Sequence, residues 1–343
     1  MRIAVDAREL QGNPTGVGRF LGELIAIWKT MPDAQAHEFI LLTPAGAERG
    51  TVWEQRDLPR LVRGTQADVL FSPAYTAPVR GAVPMVVAIH DVSFAAHPEW
   101  FSWSEGARRR TIATLAARKA RRIVTISEFS RREIVAHLGV DDAKVTVVYP
   151  GVPTHSRRTD LPRTPTVLFV GSVFNRRHVP ELIDGFARVA RDHPDTQLHV
   201  VGDNRTTPHI DLAAVAKASG VGDRVHLRSY IDDQELRALY AESAAFVFLS
   251  EYEGFGLTPV EALAAGVPVV LLDTPVAREV CGDAALYVNR PDPVAIADAL
   301  RRVLFDTDER ERIFASALTV LQRYSWTDCA RGVLRVLVEA AHG

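Results

Sequence analysis

The sequence predicts an α/β protein built from two doubly wound, Rossmann-like domains with an interdomain cleft, and three observations predict it. Short β-branched runs alternate with segments of helical period along nearly the whole chain, the pattern of parallel β–α units. The 343 residues are long for one domain and natural for two. A polar, proline-rich, aperiodic stretch interrupts the pattern near its middle and reads as a linker. These features predict an N-terminal domain over 1–152, a linker over 153–165, a second domain over 166–324 and a closing helix over 325–343.

Taken in order, the first half offers strands at Ile3–Val5, Phe39–Leu42, Val69–Phe71, Met85–Ile89, Ile123–Ile126 and Val145–Val148. The second half offers Val167–Val170, Gln197–Val201, Val225–Leu227, Ala245–Leu249 and Val269–Leu271. Doubly wound sheets bind ligands outside the carboxyl ends of their strands, so chemistry-bearing residues are expected just after these runs.

Composition excludes several classes. With 47% apolar and 24% charged residues and a formal net charge of −2, nothing draws the chain toward nucleic acid. Cys281 and Cys329 are too few and too far apart for a zinc or disulfide framework, which fits a reducing, cytoplasmic setting. The chain enters its first strand at once, so no signal peptide is read. The longest apolar stretch, Ala262 to Leu272, is broken by Gly266 and Pro268 and is too short to span a bilayer.

After the strand ending at Leu249 comes Glu251-Tyr252-Glu253-Gly254-Phe255-Gly256-Leu257-Thr258-Pro259-Val260-Glu261. This is a glycine-containing turn leading into a helix that starts near Pro259, where proline's fixed φ suits the first turn. Helix N-termini present unpaired N–H groups and partial positive charge, a ready site for a diphosphate. Gly254 and Gly256 allow close backbone approach. Thr258 to Glu261 also has the spacing of a capping box, a purely structural alternative.

The segment resembles the signature of the family 4 retaining glycosyltransferases of GT-B fold, two glutamates with seven residues between them, matched by Glu253 and Glu261. The resemblance runs on through Val270. It implies that Glu253 contacts the transferred sugar and Glu261 the ribose hydroxyls. Around them Gly254, Phe255, Gly256, Leu257 and Thr258 would hold phosphate and sugar. Gly171-Ser172-Val173-Phe174-Asn175-Arg176-Arg177-His178 is similar to the family's basic segment, which implies donor binding by Gly171, Arg176 and Arg177. Here Ser172 stands where many members have arginine, and Arg177 and His178 replace lysine and asparagine. A departing nucleoside diphosphate needs such cations, each worth about 3–4 kcal/mol in the transition state.

Gly12 to Phe20 matches the family's first glycine-rich loop, which implies donor contacts at Gly16 and Gly18. Read alone, these glycines echo a dinucleotide fingerprint, but their spacing is wrong and no acidic residue follows the next strand. His90-Asp91, leading to His97-Pro98-Glu99-Trp100, resembles the mannosyltransferase-like branch. There the histidine touches the transferred sugar, which would make His90, Glu253 and Arg177 the catalytic group. Asp91 and Ser127 fall on the acceptor side; Asp91 also fits a loop cap, and Ser130 to Glu133 has capping-box spacing. No metal site is read, since Asp306-Thr307-Asp308 lacks a preceding strand and fits a loop or a helix cap.

The resemblance thus implies a metal-independent, cofactor-free hexosyltransferase with a nucleotide-diphosphate sugar as co-substrate. Retention would proceed by front-face departure, the leaving phosphate helping to deprotonate the acceptor hydroxyl. GDP-mannose is the favoured donor, with UDP-sugars open, and a glycan or lipid-linked compound is the acceptor. Residues 108–122 carry seven basic side chains and no acidic one, with Ile112, Leu115 and Ala116 as an apolar stripe. Such a helix suits contact with the inner face of a membrane, although a solvated face is the commoner explanation. Tyr324-Ser325-Trp326 precedes a last helix that in the family crosses back to the first domain. Two other classes stay open: a nucleotide-sugar epimerase or phosphorylase of the same fold, and a non-catalytic nucleotide-sugar-binding subunit.

Overall fold

The structure is a computed structural model that describes residues 1–343 except 13–15, 45, 47–49, 82 and 153–163. It divides into two compact units: residues 1–151 with 324–343, and residues 152–323. Of the segment read as a linker, residues 153–163 lie outside the described residues.

The first unit holds a six-stranded, all-parallel sheet of β1 (Arg2–Asp6), β2 (Glu38–Leu42), β3 (Val69–Ser72), β4 (Met85–Ala88), β5 (Arg122–Thr125) and β6 (Val145–Val147). Its order is β2-β1-β3-β4-β5-β6. The second sheet holds β7 (Thr166–Val170), β8 (Gln197–Val201), β9 (Val225–Arg228), β10 (Ala245–Phe248), β11 (Val269–Leu272) and β12 (Leu286–Val288), in the order β12-β11-β10-β7-β8-β9. Counted from its own first strand, that is the doubly wound order 3-2-1-4-5-6.

Helices on both faces bury these strands, which explains their nearly unbroken apolar sequences. Every residue of β3, β4, β7, β10 and β11 is buried. Eleven strands are the runs that the sequence offers. The twelfth, β12, is an edge strand of three residues, too short to stand out from its flanks.

The helix Trp326–His342 belongs to the first unit and packs beside Val17–Trp28. Trp28 Nε1 donates to the Ala330 carbonyl at 2.9 Å. Glycines permit the close fit: a Cβ at Gly332 would meet Val148 Cγ1 at 2.9 Å, and one at Gly151 would fall 2.5 Å from Trp326 Cα. Among the described residues no helix is long and apolar enough to cross a membrane.

The basic helix spans Trp103–Lys119, so Arg121 lies beyond it and Arg122 opens β5. It packs through Ala113, Ala116 and Ala117, while Leu115 is 41% exposed beside the arginines. The apolar stripe expected from Ile112, Leu115 and Ala116 therefore does not form, because small residues rather than large ones face the sheet.

Candidate functional site

In a doubly wound sheet the chain leaves adjacent strands in opposite directions at the topological switch, opening a crevice outside their carboxyl ends. In the second unit that switch lies between β7 and β10. The loops leaving these strands carry Gly171 to His178 and Ser250 to Gly256. The Glu251 N–H donates to the Arg176 carbonyl at 3.0 Å, and His178 Nε2 lies 2.8 Å from Glu251 Oε1.

Arg177 and Glu253 meet at the centre of this arrangement. Arg177 donates to Glu253 Oε1 through Nε at 2.9 Å and Nη2 at 2.6 Å, and to the Ser172 carbonyl through Nη1 at 2.8 Å. Ser250 Oγ donates to the same Oε1 at 2.8 Å. Charge-assisted bonds of this kind are the strong ones, and Oε1 takes all three. The guanidinium also lies 4.8 Å from the Phe248 ring centroid and 5.5 Å from that of Phe174. Gly171, at φ 142°, makes room: a Cβ there would meet Arg177 Nη1 at 2.8 Å. Arg176 turns instead onto Phe174, 4.4 Å from its centroid.

The turn continues into the helix Leu257–Ala264, capped by Gly256 at φ 90° and ψ 68°. The helix begins at Leu257 rather than near Pro259. Thr258 and Glu261 therefore do not form the capping box that their spacing allows, because both already lie inside the helix. Glu261 is instead 7% exposed and accepts from the Tyr240 hydroxyl at 3.4 Å. Glu253, Gly256 and Pro259 share a small apolar cavity with Thr274 and Cys281. Burial pushes the Cys281 thiol up to about 12, which leaves it inert as a nucleophile.

The other expected residues lie in the first unit. His90 follows β4, is 7% exposed, and its Nε2 lies 2.9 Å from the Pro73 carbonyl, so that nitrogen carries the proton. Phe20 and Tyr75 meet its ring edge-on at 5.0 and 5.4 Å. Gly16, at φ 48°, precedes the helix Val17–Trp28, whose first turn contains Gly18 and whose Phe20 reaches His90. Residues 13–15 of the same glycine-rich loop lie outside the described residues.

Asp91 caps the following turn through the Ser93 N–H at 2.9 Å and accepts from the Tyr75 hydroxyl at 2.9 Å. Ser127 is fully buried and caps the helix Glu128–Leu138 by accepting from the Ser130 N–H. The box expected at Ser130 to Glu133 is thus shifted three residues upstream, and Ser130 Oγ donates to the His90 carbonyl at 2.9 Å. Asp306 caps Thr307–Leu321, as its sequence context suggests. Among the described residues no group of three or more His, Cys, Asp or Glu could hold a metal ion.

Burial holds His90 below the ordinary histidine range, outweighing the Pro73 carbonyl and Asp91. A lowered folded value means that the unfolded chain binds the proton better. The stability of neutral His90 is therefore full above the reference of 6.5 and is lost as pH falls below it. An NMR titration of the ring should show a midpoint below 6.5; one above it would contradict a histidine held neutral by burial.

Known proteins resemble the chain in sequence and in fold. Residues 29–156 match the family model described as Glycosyltransferase Family 4, and residues 153–318 match that described as Glycosyl transferases group 1. A glycogen synthase of Mycobacterium tuberculosis is 28% identical over 271 residues, covering 76% of this chain and 64% of that enzyme. A GDP-mannose:cellobiosyl-diphosphopolyprenol alpha-mannosyltransferase of Komagataeibacter xylinus is 30% identical over 66% of this chain and 58% of its own length. The chain thus aligns with less than two thirds of either enzyme. Among solved structures, Anabaena HepE in complex with UDP and glucose superposes with a TM-score of 0.77 at 19% identity, covering 99% of this chain and all of that one. At that identity the likeness establishes a shared fold, two parallel six-stranded sheets flanked by helices.

Proposed function

The chain belongs to the family 4 glycosyltransferases, and from that premise we propose that it transfers a hexose, with retention, from a nucleotide-diphosphate sugar to a hydroxyl of a glycan or lipid-linked acceptor. The acceptor oxygen bonds to the anomeric carbon, the bond from that carbon to the diphosphate breaks, and the acceptor proton passes to the departing phosphate. The observation that carries this is the Arg177–Glu253 pair at the β7/β10 switch, beside a helix N-terminus. A cation and a carboxylate there match the two charges that the donor brings into play. Arg177 would take the diphosphate, and Glu253, released from its partner, would accept hydroxyls of the sugar. Glu261 would meet the ribose from inside the helix Leu257–Ala264.

Arginine and helix-end amides would supply the positive charge, so no metal is required in this scheme. Mannose from GDP-mannose is the favoured donor: the K. xylinus relative is named for that nucleotide sugar, and His90-Asp91 carries the mannosyltransferase-like resemblance. HepE, seen with UDP and glucose, marks the competing choice. A thermal-shift panel of nucleotide sugars tests this, because a ligand at 100 times its Kd adds about 2.7 kcal/mol. GDP-mannose is expected to give the largest shift and to be turned over fully in EDTA with an α-linked product. A larger shift with UDP-glucose would replace the donor, and strict Mn²⁺ dependence would end the metal-free scheme.

A further inference from the structure

One residue beyond Arg177, a histidine joins the two loops of the β7/β10 switch at a second point. His178 Nε2 lies 2.8 Å from Glu251 Oε1, and its Nδ1 lies 3.6 Å from Glu181 Oε1. Glu251 belongs to the loop leaving β10, and Glu181 to the first turn of the helix Val179–Asp192 that follows His178. Both ring nitrogens therefore face carboxylates, which accept hydrogen bonds when ionised and do not donate them. A neutral imidazole has one N–H and would turn a lone pair toward the other acid. Only the imidazolium presents an N–H to each. The His178 side chain is 14% exposed, so salt and water screen this arrangement only in part.

Among the described residues the charges that face the ring are these two acids. The arginines of its own loop turn elsewhere: Arg177 to Glu253 and the Ser172 carbonyl, Arg176 over the Phe174 ring. Burial alone would lower the pKa of His178, but Glu181 and Glu251 outweigh it and hold it above the ordinary 6.5. With the folded value raised, the stability this ion triad contributes is full below 6.5 and is lost as pH rises through the folded midpoint. The release reaches the site directly, since His178 adjoins Arg177 and Glu251 lies two residues before Glu253. Misplacing a substrate-positioning group by about 1 Å can cost on the order of a hundredfold.

We propose that His178 is a positioning residue for the donor: its imidazolium ties the loop leaving β10 to the loop leaving β7, and loss of the ring proton loosens the cradle formed by Arg177 and Glu253. The inference rests on the glycosyltransferase function and gives its donor site a pH dependence. Calorimetric titration of the whole chain with GDP-mannose and with UDP-glucose from about pH 6 to about pH 9 tests it, a window in which such a histidine changes charge. The diphosphate of a nucleotide sugar has no terminal phosphate and keeps its charge throughout. Binding of the preferred donor is expected to weaken about tenfold across the window, the effect of losing one hydrogen bond to a charged group. The midpoint should match an NMR titration of the His178 ring and lie above 6.5. His178→Asn, which tolerates the left-handed φ of 51° held here, should bind with no such pH dependence. Glu251→Gln, at an exposed position, should move the midpoint down toward 6.5, and it carries the test if melting curves show the histidine variant unfolded. A wild-type affinity flat with pH, a slope that survives in folded His178→Asn, or an unmoved midpoint in Glu251→Gln would each overturn the proposal. Failure to bind either nucleotide sugar at any pH would instead sink the transferase function, and this role with it.

Discussion

Arg177→Ala is expected to lower turnover by at least about a hundredfold, the effect of removing one preorganised charge donor from a departing oxyanion. The structure gives the substitution two consequences. It removes the cation available to the diphosphate, and it strips Glu253 Oε1 of two of its three hydrogen bonds. Glu253 is only 20% exposed, so losing its partner should also cost about 1–3 kcal/mol of stability. Arg177→Lys separates these effects: it keeps the charge but loses the planar fork that spans Glu253 and the Ser172 carbonyl. Turnover is expected to recover partly in the lysine variant. Glu253→Gln keeps the shape of the site and should lose turnover without the same loss of melting temperature. Near-normal kcat in both Arg177→Ala and Glu253→Gln would remove the pair from the chemistry.

A large loss of stability is expected at Gly151→Ala. A Cβ there would approach the backbone N and Cα and the ring Cγ of Trp326, none of which can swing aside as a flexible side-chain tip could. The helix Trp326–His342 would have to move off the first unit, taking with it the bond from Trp28 to Ala330. Overpacking of this kind costs about 1–3 kcal/mol or more. That corresponds to a fall of several degrees in Tm for a unit of this size. Gly64→Ala, in the helix Leu58–Thr65 with nothing within 4 Å of its Cβ, is the control and should be neutral or slightly stabilising. Equal melting curves for the two variants would show that the final helix does not hold the first unit together.

The elements legible in the sequence are those whose signal is local. Parallel strands buried on both faces advertise themselves as apolar runs, so β7 and β10 could be read directly, and with them the loops that carry Arg177 and Glu253. Caps are less legible, since several polar residues compete within one turn: the spacing points to Ser130, yet Ser127 is the residue that caps. Glu261 had a plausible helix-end role that only the start at Leu257 removes. Contacts between distant residues left no trace. Nothing in the sequence joins Arg8 to Glu54, forty-six positions away, or sets Ser250 against Glu253 Oε1.

The first unit is discontinuous in the chain, and this bears on how the protein is made. Trp28 is synthesised early, but the carbonyl it bonds belongs to a residue 302 positions later. A ribosome delivers residues 152–323, a complete unit with its own sheet, before the helix that finishes the earlier one. The part made first must therefore wait with that flank uncovered, and the part made second can be folded before it.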